Sequence, residues 1–224
     1  MLARQSARKI STMTEPAHST SKSPHRIEAL TDGIYAVAMT LLVIELKFPE
    51  HAAIHTAGDL AQAMADLAPK FFSWVISFMV LALFWLAHHR LFADLRHTTG
   101  RLVGLNIFQL ALVSFMPFCS ALIGNYGGAQ LAQIVYSSNM VLLALFSWLM
   151  ARHVYRHPEL SSRPMSRGGY WGSQVRNGAL ILISFTAVGI GFFTMPAIGN
   201  IAYALMAIVM PLSRRFEKRF DRAA

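Results

Sequence analysis

The sequence predicts an all-α membrane protein: six transmembrane helices per subunit, with the N and C termini both cytoplasmic. Three observations predict it. Hydrophobic residues make up 54% of the 224 residues and charged residues 14%, against about 25% charged residues in ordinary soluble domains. The apolar residues are gathered into runs of membrane length, separated by short polar connections. Finally, Lys and Arg fall almost wholly into alternate connections, the asymmetry that orients spans with their basic loops inside. A net charge of +9 also raises nucleic acid as a partner. The basic residues are divided between spans instead of gathered on one face, so no nucleic-acid partner is expected.

Residues 1–23 are rich in Ser and Thr, carry scattered Arg and Lys, and contain no apolar run. They read as a disordered cytoplasmic tail in preference to a transit peptide, and they lack the apolar core of a secretory signal. The first helix follows over 24–47, with Ser23 as N-cap and Pro24 at the first helical position. Its charge-free part, 33–44, is far shorter than the roughly 20 apolar residues of a lipid-exposed span. Asp32 and Glu45 therefore lie at or near membrane depth, where ionisable groups face protein or water. This predicts an inner helix shielded by others. At about 100° per residue, Val37, Leu41 and Ile44 share one face, flanked by Thr40 and Gly33.

A polar connection over 48–68 holds Pro49 and a short helix over 58–67. The second span is expected over 71–90. The third starts after Arg101 and runs to 123, where Gly124-Asn125-Tyr126-Gly127-Gly128 makes a tight turn. The fourth covers 131–149. No charged residue occurs over 177–213, which is too long for one span; Pro196 with Gly199-Asn200 divides it into the fifth and sixth. The division is thus a cytoplasmic tail 1–23, a six-helix transmembrane domain 24–213 and a basic cytoplasmic tail 214–224.

Basic residues set the orientation. Arg4, Arg8, Lys9, Lys22 and Arg26 precede the first helix, and Arg90, Arg96 and Arg101 lie between the second and third. Arg152, Arg156, Arg163, Arg167 and Arg176 are expected to join the fourth to the fifth, and five more follow the sixth. Only Lys47 and Lys70 fall on the other side. The single Cys119, in an apolar stretch, cannot form an internal disulfide and reads as a small packing residue. No internal repeat is present, so a symmetric pore would need separate copies of the subunit.

The residues Arg26-Ile27-Glu28-Ala29-Leu30-Thr31-Asp32-Gly33 resemble the Arg-x-x-x-Phe-Ser-Asp-Gly signature of the transmembrane protein 175 family, the endolysosomal potassium channel family with its bacterial relatives. Leu30 and Thr31 depart from the signature but keep an apolar and then a hydroxyl side chain. The stretch Trp85-Leu86-Ala87-His88-His89-Arg90 is similar to the end of the family's second helix, and Asn106 and Pro117-Phe118 are similar to its third. The resemblance covers residues from Arg26 to Ser213 and implies a potassium-permeable cation channel. As in bacterial single-repeat members, it implies a homotetramer around the first helix, embedded in membrane lipid as a multi-pass protein of the cell membrane, here a bacterial inner membrane.

The resemblance further implies an aliphatic constriction at Val37, Leu41 and Ile44, with Thr40 as the adjacent polar side chain. The family usually has a larger Ile where this chain has Val37, which implies a wider first constriction. No Thr-Val-Gly-Tyr-Gly loop is present to build a ring of carbonyls. Such a pore would gate by dewetting, with weak to moderate preference for potassium over sodium. From the residues alone, Val37, Leu41 and Ile44 fit helix packing better; the resemblance turns them toward a pore.

Arg26, Thr31 and Asp32 are read as a structural hydrogen-bond network with Trp85, His88, His89 and Asn106, in preference to direct ion contact. Adjacent His88 and His89 are not read as a metal site. His153 and His157 read as a solvated face in a loop. No catalytic residue or cofactor is assigned. A secondary transporter for a small cation or a proton-coupled substrate is the alternative; it would commonly show inverted repeats and matched broken helices. Glu45 and Lys47 are candidates for an extracellular mouth.

Overall fold

A computed structural model describes residues 24–47, 54–193 and 200–206, together with positions 209, 213 and 215. The elements in chain order are α1 (Pro24–Ile44), α2 (Ala57–Asp66), α3 (Ala68–Phe92), α4 (Gly100–Asn125), α5 (Gln130–Arg156), a 3-10 turn (Pro158–Leu160), α6 (Arg167–Phe193) and a second 3-10 segment (Asn200–Leu205). Five of them, α1 and α3 to α6, are long and apolar enough to cross a membrane.

Local chemistry sets most of the helix starts. Pro24 opens α1, where its missing N–H is no loss. In α2 a capping box closes the first turn: Asp59 N donates to Thr56 Oγ1 at 3.1 Å, while Thr56 N donates to Asp59 Oδ2 at 2.9 Å. The bond from His55 N first, then those from Thr56, hold the Asp59 carboxyl below its ordinary range. Thr99 caps α4 by accepting from Leu102 N at 3.2 Å, and Ser166 Oγ accepts from Gly169 N at 3.0 Å at the start of α6. Pro117 lies inside α4 and deprives the Val113 carbonyl of its helical donor. Beside that gap, Asn139 of α5 donates to the Leu112 carbonyl at 3.4 Å.

The long helices pack in sequence, α3 on α4, α4 on α5 and α5 on α6, while α1 lies across α3 and α4. The main core joins Tyr35, Ala38 and Leu42 of α1 to Val80 and Leu81 of α3 and to the inner faces of α4, α5 and α6. A smaller core of Ile27, Phe92, Leu102, Met150 and Val154 closes the arginine-rich end. Two connections are stitched together there, because Arg96 N donates to the Leu160 carbonyl at 2.8 Å and Ser162 N to the Asp94 carbonyl at 2.7 Å.

Several expectations need correcting. The fourth span continues through Arg156 and the fifth starts at Arg167, so only Arg163 of the five arginines expected in that connection lies between helices. Hydropathy marks the length in lipid, whereas helices continue into the polar zone. His153 is on α5, not in a loop, and its Nε2 lies 2.8 Å from Thr99 Oγ1. The region of the expected sixth span begins as the 3-10 segment Asn200–Leu205, and much of the remainder lies outside the described residues, as do Ser23, the tail 1–23 and nearly all of 214–224. In the most apolar window of α1, 22% of residues are buried within the single subunit, so the shielding expected of an inner helix would have to come from other copies.

Candidate functional site

The two sides of α1 differ sharply. Ile27, Thr31, Tyr35, Ala38 and Leu42 are buried against the bundle. On the other side Val37 is 57% exposed, Ile44 55% and Leu41 42%, and Thr40 is exposed beside them. At about 100° per residue, the most outward line passes through Gly33, Val37, Thr40 and Ile44, with Leu41 at its edge. The Thr40 hydroxyl donates to its own helix, with Oγ1 2.8 Å from the Val37 carbonyl and 3.1 Å from that of Ala36. With its proton turned to the backbone, that oxygen presents lone pairs outward.

At the arginine-rich end, α1 is tied to α3 and α4 by side chains. Thr31, wholly buried, accepts from Asn106 Nδ2 at 3.0 Å, and Asn106 Oδ1 lies 2.9 Å from His88 Nε2. With the Asn106 amide so turned, His88 carries its proton on Nε2 and donates. Asp32 Oδ1 accepts from Trp85 Nε1 at 2.8 Å. One shell further out, His89 Nδ1 lies 3.6 Å from Glu28 Oε1, and the His89 ring stacks on Trp85 at 5.7 Å between centroids.

The structure therefore makes two arms, Thr31–Asn106–His88 inside and Asp32–Trp85 at the surface, where one cluster was expected. Arg26 joins neither among the described residues. It is exposed and falls on the outward line about five turns from Ile44. His88 and His89 face different partners, Asn106 and Glu28, and among the described residues no three His, Cys, Asp or Glu side chains gather as metal ligands. Glu45 borders a small crevice with Leu42, Lys70 and Trp74, away from the outward line. The Glu28–His89 contact lies outside the expected network, although the sequence carries a signal for it. In antiparallel helices a step of four back along α1 matches a step of four forward along α3, so Asp32–Trp85 implies Glu28–His89.

Trp85→Phe keeps an aromatic ring, though a smaller one, and removes the donor to Asp32. A charged acceptor this open to solvent is worth about 1 kcal/mol. The midpoint of thermal unfolding in detergent is expected to fall by about 2–4 °C.

Five membrane-length helices, with ionisable side chains paired at one end and an aliphatic face left open, define a multi-span integral membrane protein. The profile of the family described as endosomal/lysosomal potassium channel TMEM175 matches residues 26–117, which hold nearly all of α1, all of α2 and α3, most of α4 and both arms of the network. A potassium channel of Chamaesiphon minutus is 32% identical over 145 residues, 63% of this chain and 69% of that protein. A potassium channel of Streptomyces collinus is 28% identical over 187 residues, 82% of this chain and 89% of that protein. The crystal structure of a lysosomal potassium-selective channel TMEM175 homolog from Chamaesiphon minutus superposes with a TM-score of 0.69 at 27% identity, covering 85% of this chain and 97% of that one. The chain belongs to the TMEM175 family of channels.

Proposed function

We propose that the protein is a passive, potassium-permeable cation channel in which four copies set the open face of α1 around a common axis. The observation that carries this reading is the bare aliphatic line on α1. A helix with its other face anchored by Asn106 and Trp85 leaves Val37, Leu41 and Ile44 exposed among the described residues. Relatives named potassium channels support the ion, and the absence of an internal repeat makes separate copies the source of symmetry. The arginine-rich end is the cytoplasmic one by charge asymmetry, in a bacterial inner membrane.

In this pore, rings of Val37, Leu41 and Ile44 exclude water when narrow and admit hydrated ions when wider. The outward lone pairs of Thr40 supply the one polar ligand within the aliphatic stretch, which favours modest selectivity for potassium over sodium. The network at the base of α1 is structural: it fixes the rotation of the helix and so decides which residues meet the axis. Purified protein in liposomes is expected to pass potassium down its gradient with no sodium or proton gradient present. Flux that demands a second, coupled ion would overturn the channel reading in favour of a carrier.

A further inference from the structure

We propose that the arginine-rich end of each subunit holds a binding cavity for a phosphate-bearing ligand, a function beyond ion conduction and independent of it. A cavity of about 220 Å³ opens between the ends of α3 and α5, the start of α6 and the connection before α6. That is many times what a single ordered water needs. Arg90, Arg163 and Arg176 line it against one carboxylate, Asp94, leaving an excess of two positive charges, three less one. Guanidinium groups brought together around a recess repel one another, and a bound anion removes that cost. Their planar donors match phosphate oxygens in pairs.

Hydroxyl donors complete the set. Ser173, which accepts from Arg176 Nη2 at 3.4 Å, lines the wall, and so does Ser166, whose cap position places the positive end of α6 at the rim. Independently, Gln109 at the cavity wall is 1% exposed, and its Oε1 has no hydrogen-bond partner among the described residues. A buried amide left half-paired is costly. That oxygen is satisfied by a donor on the ligand, the P–OH of hydrogen phosphate or a glycerol hydroxyl beside a headgroup phosphate. The recess is preformed, because the connection carrying Arg163 is fastened to the end of α3 through Ser162 N and the Asp94 carbonyl at 2.7 Å. A phospholipid headgroup and free phosphate share this chemistry.

The test uses the purified full chain and two probes: calorimetric titration with inorganic phosphate, and native mass spectrometry after reconstitution in nanodiscs of phosphatidylglycerol or phosphatidylcholine. Saturable phosphate binding is expected if the source is the free anion; selective retention of phosphatidylglycerol is expected if it is a headgroup. In either case Arg163→Gln is expected to weaken binding about tenfold, the effect of losing one charge-assisted contact. Arg163→Lys should recover part of it. Arg152→Gln, which alters an arginine lying over the Trp148 ring at 5.3 Å and outside the cavity, should leave binding unchanged. If Arg163→Gln does not fold, Arg90→Gln takes its place. Binding of neither probe, or equal binding by wild type and the cavity variants, overturns the proposal.

Discussion

Replacing Leu41 or Ile44 with Asn is expected to raise potassium current about tenfold or more in reconstituted protein. The barrier at an aliphatic ring is the loss of water around the ion, and an amide offers both an oxygen ligand and a place for water to bond. Four copies carry the change, so a modest effect per subunit compounds. Lowering the barrier by about 1.4 kcal/mol is already tenfold in rate. Both side chains are more than two-fifths exposed in the subunit, so the substitution opens no cavity in the core and leaves α1 docked. The same change at Leu182, an exposed leucine of α6, separates a pore effect from a general one and should leave current unaltered. Currents that do not respond at Leu41 and Ile44 would remove the pore from this face of α1.

How far the sequence could be read follows from what each signal measures. Hydropathy reports the length spent in lipid, so the first five spans are legible, while the polar ends of α5 and α6 are not. Arg152, Arg156, Arg167 and Arg176 are helical residues that a hydropathy profile counts as loop. Helical spacing brought Trp85 and His89 to one face, and the antiparallel course of α1 and α3 sets them against Asp32 and Glu28. Proximity in the motif groups Arg26 with them, although its angle on the helix puts it on the outward line. Buried amides such as Gln133 and Asn139 gave no warning: a polar residue inside an apolar run names no partner until its neighbours are known. The cavity is illegible for a related reason, since Arg90 of α3 and Gln109 of α4 meet Arg163 and Arg176 from the far half of the chain only through the fold.

Asn106→Leu is expected to lower stability by about 2 kcal/mol and to loosen α1 ahead of the rest of the bundle. Leucine keeps the branching of asparagine with bulkier methyl groups; the main change is that Thr31 Oγ1 and His88 Nε2 lose their partner while buried. Orphaned buried groups cost about 1–3 kcal/mol each. Inter-helix hydrogen bonds in membranes average nearer 0.6 kcal/mol, because the dissociated helix also finds partners. Two bonds lost at once fall between those limits. Denaturant titration in mixed micelles reads the total, and hydrogen exchange along 24–44 reads where the loss is felt. The double variant Asn106→Leu with Thr31→Val separates pairing from packing, because it removes the Thr31 hydroxyl that Asn106→Leu alone leaves unpaired, and it should be less destabilised than the two single costs summed. Since α1 is the least buried of the five long helices, a weakened anchor lets it rotate against α3 and α4. Rotation would move Val37 and Ile44 off any shared axis. The stability loss of Asn106→Leu should therefore come with a change in current even though the side chain lies far from the aliphatic line. Simple additivity in the double variant, with α1 exchange unchanged in Asn106→Leu, would mean that apolar contacts alone hold the helix in place.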